Sequence, residues 1–234
     1  MTLNNCYRSP EPRAGASVDS ETGFARLREF MVTQQLLGRG IHDQRVLDAM
    51  RTLPRHRFVP IVERDHAYED RPLPIPSGQT ISQPYIVAYM LQALSLEKSD
   101  KALEVGTGSG YQAALLGDLA GEVHTVERHA PLVEAAASLL VDLGYDHVHV
   151  HLGDGSQGWP AQAPYDVIIV AAGAPVVPQP ILEQLSPNGR LVIPVGEPAR
   201  QMLQLWREKD GSFGCDELVP VAFVPLIGEH GWAA

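Results

Sequence analysis

From residue 101 onward the chain repeats one rhythm, and that rhythm limits its fold more than any other feature. Short aliphatic runs alternate with helical stretches: LEVG (103–106), VHTVE (123–127), HVHVHLGD (147–154), DVIIVAAG (166–173) and RLVIPVG (190–196). Between most of them lie segments with helical patterning, Tyr111–Ala120, Pro131–Leu143 and Pro178–Leu185. Strands separated by helices pair in parallel and are covered on both faces, so each strand reads as a nearly continuous apolar run. The last two runs, QMLQLWRE (201–208) and ELVPVAFVPL (217–226), follow one another with no helix between them. They predict antiparallel strands at the sheet edge. The expected fold is α/β: a doubly wound, mostly parallel sheet with helices on both faces and antiparallel C-terminal edge strands.

Upstream, Phe24, Leu27, Met31 and Leu36 form a stripe at helical spacing that Gly38 and Gly40 should end. Asp43 is placed to cap a second helix through Val46, Leu47 and Met50, stopping near Pro54. These helices form an N-terminal cap. Residues 54–84 are rich in proline and predict loop, after which Pro84 opens a helix capped by Ser82 or Gln83. Residues 1–22 are rich in Ser, Pro, Gly and charge, and read as a disordered extension before one domain, 23–234.

Leu103–Gly110 joins a strand to a helix, the place where open α/β sheets bind ligands. Its glycines, Gly106, Gly108 and Gly110, miss the dinucleotide pattern G-x-G-x-x-G because Tyr111 holds the last position. A phosphate-binding Gly-Lys-Ser/Thr is also missing. Glu127 ends the next strand about 20 residues beyond the first glycine, where an acid can accept from both ribose hydroxyls. The alternative reading is a solvated acid favouring a helix N-terminus. Asp154, between Gly153 and Gly155, could accept from an adenine amino group or could be an ordinary turn residue. Nucleoside-compatible strand ends without a phosphate device fit S-adenosylmethionine better than NAD.

LEVGTGSGYQAALL resembles motif I of class I S-adenosylmethionine-dependent methyltransferases, and Gly78-Gln-Thr-Ile-Ser-Gln-Pro-Tyr-Ile-Val-Ala88 resembles the signature of the protein-L-isoaspartate O-methyltransferases. The similarity runs from about Phe24 to Gly228. It implies a Rossmann-like methyltransferase sheet and methyl transfer to the free α-carboxylate of L-isoaspartyl residues in damaged proteins and peptides, beginning repair through a succinimide. It implies Ser82 as the catalytic residue. The implied cofactor contacts are Thr80, Ile81, Ser82, Glu104, Val105, Gly106, Thr107, Gly108, Ser109, Gly110, Glu127, Asp154 and Gly155. It also brings the VPLIGEH run near the cofactor. Pro76-Ser77 departs from the family's glycine-containing loop, which bears on peptide affinity more than on reaction type.

An isoaspartyl α-carboxyl has a pKa of roughly 3.5 and needs no general base at neutral pH. On residues alone, Ser82 could instead cap the helix at Pro84. Arg71 reads as a structural ion-pair partner that could alternatively meet a substrate carboxylate. His147, His149 and His151 would share one strand face about 6.5 Å apart, too far for a single ion to take all three, and no metal is expected. Trp159 reads as a packing plug.

The net charge of −10 disfavours a nucleic-acid partner and makes a local positive field necessary for a carboxylate substrate. Two cysteines far apart, and no apolar run long enough to span a bilayer, predict a cytoplasmic monomer with no membrane partner. Two other readings remain at this point: a methyltransferase of a small molecule or nucleic acid, and a non-catalytic S-adenosylmethionine-binding module.

Overall fold

The computed structural model describes residues 20–233. Helix α1 spans Glu21–Phe30, with the Ser20 hydroxyl accepting from Gly23 N–H and Glu21 in the first turn. Helix α1 thus begins two residues before the expected boundary at 23; residues 1–19 of the expected extension lie outside the described residues. The first helix runs into a π-helical turn, Met31–Leu36, and stops at left-handed Gly40. Helix α2, Gln44–Thr52, is capped by Asp43 through Arg45 N–H.

The stretch 54–84 contains more order than a loop. Leu73–Ile75 (β1) and Gln79–Ile81 (β2) pair as a short antiparallel hairpin. Its turn bends through Ser77 at φ 62° and Gly78 at φ 67°, so a serine carries a left-handed conformation that glycine adopts freely. Helix α3, Pro84–Leu94, follows, with neither expected cap making its hydrogen bond. Asp70 does so from a distance: its Oδ1 accepts from Tyr85 N–H, and its Oδ2 accepts from the Gln83 side chain and pairs with Arg39.

The main sheet comprises β3 (Lys101–Val105), β4 (Glu122–Glu127), β5 (Val148–Leu152), β6 (Tyr165–Val170), β7 (Leu185–Glu197), β8 (Arg200–Lys209) and β9 (Ser212–Val221). Its order is β5-β4-β3-β6-β7-β8-β9. The pairs through β7 are parallel, and β7–β8 and β8–β9 are antiparallel, as the closing strand runs require. Helices α4 (Tyr111–Leu119), α5 (Ala130–Asp142) and the short α6 (Gln179–Leu182) complete the layers.

Alternate residues face two cores. Ala102, Val123, Val148 and Ile169 pack with α4 and the N-terminal helices. Leu103, Val105, Val126 and Ile168 pack with Ile181, Leu182 and Trp159. Trp159 is indeed a plug, stacked on His151 with centroids 4.3 Å apart. The three strand histidines do not share a face, because His147 precedes β5 and turns toward the Gly117 carbonyl on α4 (3.0 Å). His124 of β4 joins His149 and His151 in its place. Among the described residues no group of three or more His, Cys, Asp or Glu is arranged to hold a metal ion, and no helix is long and apolar enough to cross a membrane.

Candidate active site

The chain order reverses at β3, which has β4 on one side and β6 on the other, and a cleft at such a switch point is where an open α/β sheet binds a ligand. A cavity of about 330 Å³ occupies that place. The hairpin residues Gly78–Ser82, the loop after β3, the end of β4, Gly155 after β5, and Ala171 and Ala172 after β6 all line it. Eleven of the expected contact residues are brought together here: Thr80, Ile81, Ser82, Glu104, Val105, Gly106, Thr107, Gly108, Ser109, Glu127 and Gly155. Gly106 and Gly108 take φ of 95° and 53°, letting the loop fold tightly over the strand end.

Two expected contacts are not among the lining residues. Gly110 starts α4 and faces α5, where a Cβ would lie 3.3 Å from Ala136. Asp154 holds the C-terminal tail instead. Its Oδ1 accepts from Ser156 N–H and Oγ, and its Oδ2 accepts from Glu229 N–H at 2.8 Å. Gly228 passes so close that a Cβ there would fall 1.9 Å from Asp154 Oδ1. This clamp, with Trp232 Nε1 donating to the Gly173 carbonyl, places Val224–Ile227 in the cavity wall. The VPLIGEH run therefore does fold back to the site.

Glu127 is buried at 6% exposure, and its acceptors are largely committed. Oε2 accepts from Gly108 N–H, and Oε1 accepts from Arg128 and His129 N–H at the start of α5. Of the roughly four lone pairs on a carboxylate, one on Oε2 remains for a ligand hydroxyl. The acid thus ties two loops together as well as lining the cavity.

Glu104 is fully buried. Its Oε2 accepts from Thr125 Oγ1 at 2.6 Å, and Thr125 in turn meets Thr107 Oγ1 at 2.6 Å. Among the described residues its Oε1 and the neighbouring Gln112 Nε2 both lack a completed hydrogen bond. Burial raises the Glu104 pKa to about 8, the nearby Glu127 adds to the rise, and Thr125 and Gln112 oppose it. The folded protein therefore keeps a proton that an unfolded chain releases near 4.5. Stability falls as pH rises between those values, by roughly 1 kcal/mol per pH unit, and the full penalty holds above about 8. Glu104→Gln should gain more in melting temperature over the parent at pH 8 than at pH 5. An equal difference at both pH values would show that Glu104 carries no proton into the fold.

Beyond Ser82 lies a second cavity of about 450 Å³, walled by Pro72, Gln83, Ile86, Ala199 and residues Pro220–Val224. Thr80, Ser82, Ala171 and Val224 line both spaces. The Ser82 hydroxyl makes no hydrogen bond among the described residues, and Asp70 has relieved it of capping duty. Arg71 is taken up by Glu69 at 2.6 Å on the exposed side, as its structural reading expected.

Sequence reasoning missed Gln79, Arg128, His129, Ala171 and Ala172. Arg128, His129, Ala171 and Ala172 each lie next to a recognised strand end, and Gln79 lies inside the Gly78–Ala88 string, which are the signals available for them. Taken together, the cavity at the switch point, its glycine loop and its paired acids describe a nucleoside-type site that shares the Ser82 wall with a second cavity. A family model described as Protein-L-isoaspartate(D-aspartate) O-methyltransferase (PCMT) matches residues 28–231.

The chain belongs to this family.

A protein-L-isoaspartate O-methyltransferase of Roseiflexus castenholzii is 55% identical over 209 residues, covering 89% of this chain and 95% of its own length. Protein-L-isoaspartate O-methyltransferase 1 of Rhodopseudomonas palustris is 52% identical over 218 residues, covering 92% of this chain and 89% of its own. A solved protein-L-isoaspartate O-methyltransferase superposes with a TM-score of 0.78 at 29% identity, covering 87% of this chain and 67% of that one. A Plasmodium falciparum structure described as a family member in complex with S-adenosyl-L-homocysteine gives 0.74 at 27% identity, with 87% and 98% covered. Membership places this chain among the S-adenosylmethionine-dependent methyltransferases. The Pro76-Ser77 departure from the family's usual loop leaves a turn whose left-handed residues are Ser77 and Gly78.

Proposed function

We propose that this chain transfers a methyl group from S-adenosylmethionine to the free α-carboxylate of L-isoaspartyl residues in damaged proteins and peptides. The carrying observation is that Ser82 lines both cavities, one fitted to a nucleoside and the other open to a chain. The switch-point cavity fits the cofactor in its donor set. Glu127 retains one acceptor position for a ribose hydroxyl, and Glu104 lines the cavity with one carboxyl oxygen that has no hydrogen-bond partner among the described residues. When bound there, the cofactor supplies an electrophilic methyl group on a sulfonium.

The chain's own task is alignment. The α-carboxylate is an anion at neutral pH, so no residue need remove a proton. Ser82 Oγ can donate to one carboxylate oxygen and point the other at the shared opening. Holding the reacting atoms in line is worth roughly 7–11 kcal/mol in favourable cases. Val224, Ala171 and Ile81 provide an apolar surround that limits water. The product ester is a better leaving group than a carboxylate, so the chain can close to a succinimide and reopen, partly as aspartate. A cytoplasmic monomer acting on protein and peptide substrates accords with this reading.

The test is methyl transfer to a peptide containing isoaspartate against the same peptide containing aspartate. Labelled transfer to the first alone is expected. Binding of the cofactor with transfer to neither would mark a non-catalytic binding module, and transfer only to a small molecule or nucleic acid would move the substrate class.

A further inference from the structure

Arg55 is fully buried and has no carboxylate within salt-bridge distance among the described residues. A buried guanidinium without a counter-ion is costly and calls for another source of compensation. Here the partners are backbone carbonyls. Nε donates to the Ala67 carbonyl and Nη2 to the Ser82 carbonyl, both at 2.8 Å. The Arg55 Cζ lies 4.7 Å from the Tyr111 ring centroid, and Tyr111 lines the cofactor cavity. Nη1 completes no hydrogen bond among the described residues, although the Tyr111 hydroxyl and the Asp70 carboxylate lie near enough to favour the charge. Arg55 itself lines neither cavity, and reaches the site through the peptide of Ser82.

We propose that Arg55 is a positioning residue for the carboxylate substrate: it clamps the Ser82 peptide between β2 and α3, and places a buried positive charge without a salt-bridge partner behind it. This rests on the isoaspartyl reading. It also supplies the local field that a chain of net charge −10 needs for an anionic substrate. Arg71 cannot provide that field, being paired with Glu69 at the surface. Because the carboxylate loses charge as the new C–O bond forms, a cation behind Ser82 favours the bound substrate over the transition state. Its signature therefore falls on KM more than on kcat.

Arg55→Met keeps length and apolar bulk while removing charge and donors. The KM for an isoaspartyl peptide should rise roughly tenfold, with kcat changed less and S-adenosylhomocysteine affinity within about twofold of the parent. Arg55→Lys keeps the charge and one donor, and should recover most of the KM. If Arg55→Met does not fold, Arg55→Lys and the parent carry the test, with KM expected to rise about threefold and cofactor affinity to hold. A parallel loss of cofactor affinity, or an unchanged KM in a folded variant, overturns the proposal. A parent protein that methylates neither peptide instead overturns the substrate reading and this proposal with it.

Discussion

Ser82→Ala should lower methylation of an isoaspartyl peptide by roughly 10- to 100-fold while leaving S-adenosylhomocysteine binding nearly unchanged. The magnitude follows from a hydrogen bond to a charged group, worth about 1.5–3 kcal/mol. The direction follows from geometry. The hydroxyl is unpartnered among the described residues, and the helix it might have capped is held by Asp70 through Tyr85 N–H. Removing Oγ therefore costs the fold little. The Ser82 carbonyl, which Arg55 grips, is untouched by the substitution. Initial rates at saturating peptide, set beside an equilibrium titration of S-adenosylhomocysteine, separate the two effects. Parent-like turnover at saturating peptide would remove Ser82 from the reaction, and a matching fall in cofactor affinity would make it a wall of the cofactor cavity only.

The second large effect concerns Glu127. Glu127→Ala should weaken S-adenosylhomocysteine binding roughly 100-fold, because it acts in two places at once. It deletes the remaining acceptor for a ribose hydroxyl. It also strands the half-buried N–H groups of Gly108 and His129 and the more exposed one of Arg128, where a lost hydrogen bond costs about 1 kcal/mol each once water takes over part of the pairing. Glu127→Gln keeps the shape and one good acceptor, and should fall between parent and alanine. Calorimetric titration checks the order. A Kd for the alanine variant within threefold of the parent would show that the acid serves the helix start alone. The peptide KM at saturating cofactor should not move in either variant, which distinguishes this site from that of Arg55.

Much of the architecture was legible because it rests on local periodicity. The parallel strands, the helices between them and the antiparallel pair at the end appear as runs and interruptions along the chain, and burial on two faces leaves them apolar. Asp43 was legible as a cap because its partner, Arg45 N–H, lies two residues away. The cap of α3 was not, because Asp70 reaches it across fifteen residues and the β1–β2 hairpin. The hairpin itself was obscured by prolines that ordinarily discourage strands, and by a left-handed serine where glycine would have announced the turn. His147 was misplaced because strict alternation was extended one residue past the true start of β5.

The sequence by itself determined the class of fold, the location of the ligand cleft beyond the strand ends, the glycine loop, and the chemistry suggested by the Gly78–Ala88 string. Those depend on near neighbours and on residue types that only certain backbones tolerate. The tertiary structure alone decided which groups share the cleft and what each is free to do. It committed Asp154 to the C-terminal tail and three of Glu127's lone pairs to backbone N–H groups, buried Glu104 until it holds a proton, and set Arg55 behind Ser82. Hydrogen bonding and desolvation act through space over a few ångströms; two of Glu127's donors are its own neighbours, but the Gly108, Glu229 and Arg55 contacts are closed by residues 19 to 75 positions away.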